Sequence, residues 1–303
     1  MNITVLNTQS QELFSTKDFL DLREHSLKLL SLPQPTPPTE DALSEIPPET
    51  TCLLSDLTFK LTEAGLTQLP RLEYIGLSYT GWWDMYFDTA ALKKRGIVLT
   101  NNPDYATQSV AEACFRELLT ALRPLPAEGE GVPLGSELAG KVLGIKGLGK
   151  IGSRVAQIGR AFGMRVLSDS SRATDDVERV SFERLLAQSD VLGVYTPKSG
   201  GILLGPSELA MLKPDVHLLN PAGEEMFSTP EIIDFLRRNP SASYHYLAKP
   251  SPTYARSFAG LANAYIRPLY SNYTSEARQR RIASCLSDVQ AFIEGREPRN
   301  RVL

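Results

Sequence analysis

Short apolar runs alternate along this chain with stretches whose apolar residues recur every three or four positions. That pattern fits buried strands interleaved with amphipathic helices. Residues 3–6 read as a strand and residues 18–32, with leucines at helical spacing, as a helix. LPQPTPPTEDALSEIPPE follows and reads as an irregular surface connection. Residues 52–54 and 72–77 read as strands, with a helix opening at Thr62 and ending near Pro70 between them. Ser78-Tyr79-Thr80-Gly81 is the turn that closes the second strand. A helix over 88–95 stops at Gly96, and a strand over 97–100 is broken by Asn101-Asn102-Pro103. Residues 109–122 form a long helix, and 123–140, rich in Pro, Gly and Glu, link it onward. Later strands fall at 142–145, 166–167, 190–195, 216–220, 243–247 and 264–267, and helices at 181–187, 207–212, 229–238 and 274–295. Ser181 and Thr274 are placed as N-caps, and Pro230 opens its helix. Alternation of β and α over the whole length predicts an α/β fold with parallel sheets.

The most informative stretch is 141–172, KVLGIKGLGKIGSRVAQIGRAFGMRVLSDSSR. It reads as strand, glycine turn, helix and strand, and Gly147-Leu148-Gly149-Lys150-Ile151-Gly152 fits G-x-G-x-x-G. The first glycine makes the tight turn, the second lets backbone approach a pyrophosphate, and the third lets helix and strand pack closely. The helix N-terminus then offers N–H groups and the positive end of a dipole to that pyrophosphate. Asp169 lies about twenty residues beyond the glycines, near where an acid meets the ribose. The alternative is a glycine turn kept only for packing.

Composition removes several other classes. At 303 residues the chain favours two domains. Its net charge of −3 carries no electrostatic footprint for nucleic acid or an anionic membrane. No apolar run reaches spanning length, and the first residues have no signal core. Cys52, Cys114 and Cys285 are far apart and odd in number, which fits buried thiols and a cytoplasmic protein. With His25, His217 and His245 the only histidines, a multi-histidine metal site is not expected.

The chain resembles the D-isomer-specific 2-hydroxyacid dehydrogenases, with a glycerate or hydroxypyruvate reductase flavour. The resemblance covers nearly the whole length. It is carried by YTGWWDMYFDTAALKKRGIVLTNNPDYATQSVAEA, GLGKIGSRVAQIGRAFGM, ERLLAQSDVLGVYTP with SELAMLKP, and YTSEARQRR. It implies two Rossmann-like domains, the cofactor domain inserted into the substrate domain. The expected boundaries are 1–103 plus 275–303 for a flavodoxin-like substrate domain and 104–274 for the dinucleotide-binding domain. It also implies a small-molecule substrate and a homodimer built on the cofactor domain. Thr107, Thr196, Pro197, Asn220 and Ala222 join Gly147, Gly149, Lys150, Ile151 and Gly152 as implied cofactor contacts.

The family's catalytic set is an arginine that clamps the substrate carboxylate, and a glutamate that orients a histidine exchanging the proton. On this chain Gly223 stands at the arginine position, Ser251 at the glutamate and Leu269 at the histidine. Tyr246 aligns with the aspartate that usually holds the nicotinamide carboxamide. Ordinary 2-keto acid reduction is therefore not expected, since a leucine cannot shuttle a proton. Glu224 and Glu225 sit where the clamp was, which favours a cationic or neutral ligand; the alternative is two solvated loop residues. Tyr270, Tyr273 and His245 are the remaining candidates for the proton, with Lys249 or Arg267 to lower a tyrosine's pKa. Packing competes with catalysis for each, and for His245 structure is the stronger reading. The backbone around Tyr79, Thr80, Gly81 and Trp82 is the candidate substrate loop, and Trp82 and Trp83 are either an aromatic wall or packing. Asp169 followed by Ser170-Ser171-Arg172 resembles the pattern of NADP-using relatives, and Lys146 either reaches a phosphate or offsets nearby acids. The cofactor is thus NADP or NAD. Three functions remain: a divergent oxidoreductase on an unusual carbonyl or hydroxy substrate, the same fold turned to a non-redox reaction, or a non-catalytic dinucleotide-binding scaffold.

Overall fold

The computed structural model describes every residue except 10–12, 35–38, 82, 126–130, 132, 173–174, 197–200 and 267–270, and the side chain of Trp83. The chain divides into two compact units, Met1–Tyr105 with Thr274–Leu303, and Ala106–Tyr273.

The first unit opens with β1 (Asn2–Thr8), β2 (Ser26–Leu32), β3 (Cys52–Ser55), α1 (Glu63–Leu66), β4 (Tyr74–Leu77), α2 (Trp83–Tyr86), α3 (Thr89–Lys94) and β5 (Val98–Thr100). Its parallel sheet runs β2-β1-β3-β4-β5, the flavodoxin-like order. The helix expected over 18–32 is corrected: a 3-10 turn at Thr16–Leu22 leads into β2, which pairs with β1 from Asn2↔Ser26 to Thr8↔Leu32. Leu27 and Leu29 pack on one face of the sheet, Leu30 and Leu32 on the other. A short run apolar on both faces satisfies a strand as well as a helix, so spacing alone could not separate them.

The second unit runs α4 (Thr107–Leu122), β6 (Val142–Lys146), α5 (Lys150–Ala161), β7 (Arg165–Ser168), β8 (Glu178–Arg179), α6 (Phe182–Gln188) and β9 (Val191–Val194). It continues with α7 (Pro206–Leu209), β10 (His217–Asn220), α8 (Thr229–Arg238), β11 (Ser243–Tyr246), α9 (Pro252–Ser257) and β12 (Ala264–Ile266). The sheet order is β12-β11-β10-β9-β6-β7-β8, all parallel. One apolar core gathers Phe115 of α4 and Val155 of α5; the other gathers Leu185 of α6, Leu209 of α7 and Ile232 of α8. The strand order reverses between β6 and β9, and in such sheets a dinucleotide lies across the carboxyl ends at that point.

The chain then returns to the first unit through α10 (Ser275–Ile293), capped by Thr274, whose hydroxyl accepts from the Ala277 N–H at 3.1 Å. Ile282, Cys285 and Val289 of α10 pack with Ile3, Val5 and Leu54. No helix among the described residues is long and apolar enough to cross a membrane.

Candidate functional site

The glycine turn stands at the switch point and its three glycines are held by different constraints. Gly147 has φ +94, and a Cβ there would lie 2.8 Å from the Thr196 backbone nitrogen and Cγ2 at the end of β9. The Tyr195 N–H donates to the Lys146 carbonyl at 2.7 Å, which locks the ends of β6 and β9 together around the turn. At Gly152 a Cβ would sit 2.1 Å from the Gly147 carbonyl oxygen, so the first turn of α5 closes only around a glycine. Gly149, the N-cap of α5, has extended backbone (φ −83, ψ −164), and a Cβ there would meet nothing within 4 Å. No side chain caps α5. An uncapped helix N-terminus fronted by open space above a glycine fits a pyrophosphate. Lys150 is exposed, Ile151 half-buried.

Next to the turn, Ile145 of β6 pairs in register with Ser168 of β7, so the last residue of β6 and the first past β7 stand side by side. These are Lys146 and Asp169, and they form an ion pair with side chains only 20% and 15% exposed. The Lys146 ammonium also stands 4.2 Å from the centroid of the Phe182 ring. Beyond the acid, the Ser168 hydroxyl donates to the Ile145 carbonyl at 2.7 Å and accepts from the Ser170 N–H at 3.2 Å. The Arg172 N–H donates to the Ser170 hydroxyl, and Ser171 and Arg172 are exposed.

On the other side of the switch point, the ends of β10 and β11 carry a hydrogen-bonded cluster. Asn220 is fully buried. Its Oδ1 accepts from the N–H groups of Ala222 and Gly223 at 3.1 and 3.2 Å, and its Nδ2 donates to the Gly223 carbonyl at 2.8 Å and to the Tyr244 hydroxyl at 2.7 Å. Its side chain is spent on shaping this turn, and Tyr244 passes the network on to the Tyr254 hydroxyl at 2.8 Å. The turn delivers Glu224, whose carboxylate accepts from the Ser251 N–H at 2.5 Å and the Ser251 hydroxyl at 3.0 Å. Ser251 is itself the N-cap of α9, accepting from the Tyr254 N–H at 3.2 Å. Glu224 and Glu225 are both half-buried, so neither is a fully solvated loop residue. Tyr246 is buried with its ring 5.1 Å from that of Tyr254. Burial first, and then the charge of Glu224, push its phenol well above the usual range and keep it protonated.

The remaining candidates scatter. His245 is fully buried, stacked on Tyr265 at 4.4 Å, with Nε2 2.8 Å from the Ser243 hydroxyl. Ser243 also meets His217 Nδ1 at 2.7 Å, so His245 belongs to a chain inside the sheet. Tyr273 is 65% exposed. Thr107 starts α4, and Thr196 is half-buried against the glycine turn. Tyr270, Leu269, Pro197 and Trp82 lie outside the described residues.

In the first unit the candidate substrate loop is braced from two sides. The Asn101 Nδ2 donates to the Thr80 carbonyl at 2.6 Å, the Thr80 hydroxyl to the Asn102 carbonyl at 2.8 Å, and the Asn102 N–H to the Tyr79 carbonyl at 3.0 Å. Behind it Arg281 of α10 donates to the Ser78 carbonyl at 2.7 Å and the Ser78 hydroxyl at 2.8 Å, and forms a buried ion pair with Asp56. Tyr79 turns its hydroxyl inward, and burial pushes that phenol's pKa up, so the group is not offered to a ligand. Thr80 is exposed, and a Cβ at Gly81 would meet open space.

The Glu224–Ser251 link, 27 residues apart, and the Arg281–Asp56 pair, 225 apart, carry no local sequence signal. The Lys146–Asp169 pair does have one: the two residues stand at the ends of adjacent parallel strands.

Comparison with known proteins agrees with this geometry. Residues 113–257 match the model of the D-isomer specific 2-hydroxyacid dehydrogenase NAD-binding domain. A glyoxylate reductase of Aeropyrum pernix is 30% identical over 292 residues, covering 88% of this chain and 86% of that one. A D-lactate dehydrogenase of Aquifex aeolicus solved with NAD and lactic acid is 25% identical with a TM-score of 0.77, covering 97% of this chain and 96% of that one. An acyclic imino acid reductase solved with NADPH and D-Arg is 24% identical with a TM-score of 0.83, covering both chains fully. Chains of this fold thus hold either nicotinamide cofactor, and this one belongs to the D-isomer-specific 2-hydroxyacid dehydrogenase family.

Proposed function

We propose that the chain is a divergent nicotinamide-dependent oxidoreductase whose substrate is neutral or cationic where ordinary relatives clamp a carboxylate. The observation that carries this is the half-buried carboxylate of Glu224, fixed by Ser251 in the turn after β10, with Glu225 beside it. Two acids there repel the anion that an arginine would attract. A bound dinucleotide supplies or accepts the hydride. The chain's own part is to seat the pyrophosphate on the N-terminus of α5 and to hold Tyr246 as a neutral phenol near the Glu224 turn. The proton at the substrate falls to Tyr270 or Tyr273, because His245 is enclosed within the sheet. In the first unit, Thr80 and Gly81 are the candidates for substrate contact.

Saturating hydroxypyruvate, glyoxylate and pyruvate should each turn over at least about a thousandfold more slowly than with an ordinary member, the scale of a lost general acid–base group and anion clamp. Rapid reduction of any of them, followed as loss of nicotinamide absorbance, would overturn the reading. A second reading, a dinucleotide-binding protein without turnover, is favoured by Gly223 and Ser251 both departing from the catalytic set; dinucleotide binding with no turnover of any neutral or cationic carbonyl substrate would select it.

We further place the protein in the cytoplasm, supported by the free, buried thiols of Cys52, Cys114 and Cys285. We also infer a homodimer through the second unit. Leu125 and Leu134, at 91% and 101% exposure, supply apolar surface after α4 that suits a covering partner. Sedimentation equilibrium should give about twice the 33.4 kDa of one chain, and a mass of one chain at micromolar concentration would sink the dimer.

A further inference from the structure

Lys146 is an unusual neighbour for a glycine turn. It ends a strand whose preceding residues Leu143, Gly144 and Ile145 are buried, yet its ammonium is neither in the core nor in open water. It lies between the carboxylate of Asp169 and the face of the Phe182 ring. We propose that Lys146 sets which nicotinamide dinucleotide the site accepts: by neutralising Asp169 it admits the 2′-phosphate of NADP(H), and it pairs with that phosphate when the cofactor is bound. The proposal rests on the dinucleotide reading above and goes beyond it to the choice of cofactor.

An acid at this place ordinarily accepts hydrogen bonds from the adenosine ribose hydroxyls, and its charge repels a phosphate on the same ribose. Here Oδ2 of Asp169 is already engaged by a cation. Ribose hydroxyls must share that carboxylate with Lys146, so NAD(H) loses part of its usual anchor. A 2′-phosphate meets a different surface. The local pair is neutral, and Arg172, exposed three residues on, adds a further positive charge. With the phosphate bound the ammonium bridges it and Asp169, so the carboxylate stays neutralised beside the new anion. The pair is shielded, with the Lys146 and Asp169 side chains 20% and 15% exposed, so water screens these charges less than it would a surface pair. The Phe182 ring holds the ammonium on the cofactor edge of β6 whichever anion it meets.

The test is direct binding, read from the fluorescence of NADPH and NADH titrated into the intact protein and into Lys146→Met and Asp169→Asn. The unsubstituted protein should bind NADPH more tightly. Lys146→Met removes the cation and leaves Asp169 free, so the ratio of the two dissociation constants should move toward NADH by about tenfold to a hundredfold, the scale of one charge-assisted hydrogen bond. Asp169→Asn leaves the lysine without its acid and should move the ratio the other way, NADH weakening most. Because each substitution is judged by a ratio within one protein, a modest loss of stability does not disturb the readout. Ratios within twofold of the unsubstituted protein for both variants would overturn the role of Lys146 while leaving the dinucleotide site standing. Failure of the unsubstituted protein to bind either cofactor would overturn both.

Discussion

Gly149→Val should abolish measurable dinucleotide binding while leaving the fold intact. The N-cap of α5 has φ −83 and ψ −164, a conformation any residue adopts, and a Cβ there touches no protein atom within 4 Å. Valine is a poorer N-cap than glycine, a loss of about 1 kcal/mol at most, so the melting temperature should fall by less than about 4 °C. What the isopropyl group fills is the space in front of the helix N-terminus, where a pyrophosphate gains its charge-assisted hydrogen bonds. Losing two of these, at roughly 1.5–3 kcal/mol each, weakens binding by more than about a hundredfold. Gly152→Ala is the contrasting control. Its added carbon would lie 2.1 Å from the Gly147 carbonyl, so it should damage the fold and binding together. Unchanged dinucleotide affinity in a folded Gly149→Val protein would show that no phosphate sits above this turn.

That contrast shows why the glycine turn was legible in the sequence and the Glu224–Ser251 cluster was not. The glycine turn occupies six consecutive positions directly after a strand and before a helix, so its pattern can be read from the chain, and Gly152 is fixed within the turn itself by the Gly147 carbonyl. The edge with Lys146 and Asp169 needs one step more, the knowledge that adjacent parallel strands end together. The Glu224–Ser251 contact depends on how far the turn after β10 reaches toward α9, and α9 had no strong periodic signal to announce it. Residues 18–32 misled for a related reason: a strand with leucines on both faces presents the same letters as a short amphipathic helix. Tyr79 shows a finer limit. Its place in the loop after β4 could be read from the chain, but the direction of its ring is decided by packing in the core.

The Arg281–Asp56 pair, 225 residues apart in sequence, also makes the strongest stability prediction. Arg281→Leu should destabilise the first unit by about 3–5 kcal/mol, because it strands the carboxylate of Asp56, 5% exposed, without its cation. Among the described residues, the hydroxyls of Ser78 and Thr8, at 3.0 and 3.1 Å, would remain to solvate that charge. The Ser78 carbonyl would lose its 2.7 Å donor at the same time, and Tyr105 the guanidinium 5.0 Å from its ring. A unit of this size should melt roughly 10 °C lower. The cause can be separated from lost packing by Asp56→Ala with Arg281→Leu. Removing both charges leaves no buried ion, so the double variant should recover part of the loss, with a coupling of about 1–3 kcal/mol. Since the same guanidinium anchors Ser78 at the root of the Thr80–Gly81 loop, the single variant should also weaken substrate binding while dinucleotide affinity, set in the other unit, stays unchanged. A melting temperature within about 2 °C of the unsubstituted protein would mean that α10 is held by its apolar face alone, through Ile282, Cys285 and Val289.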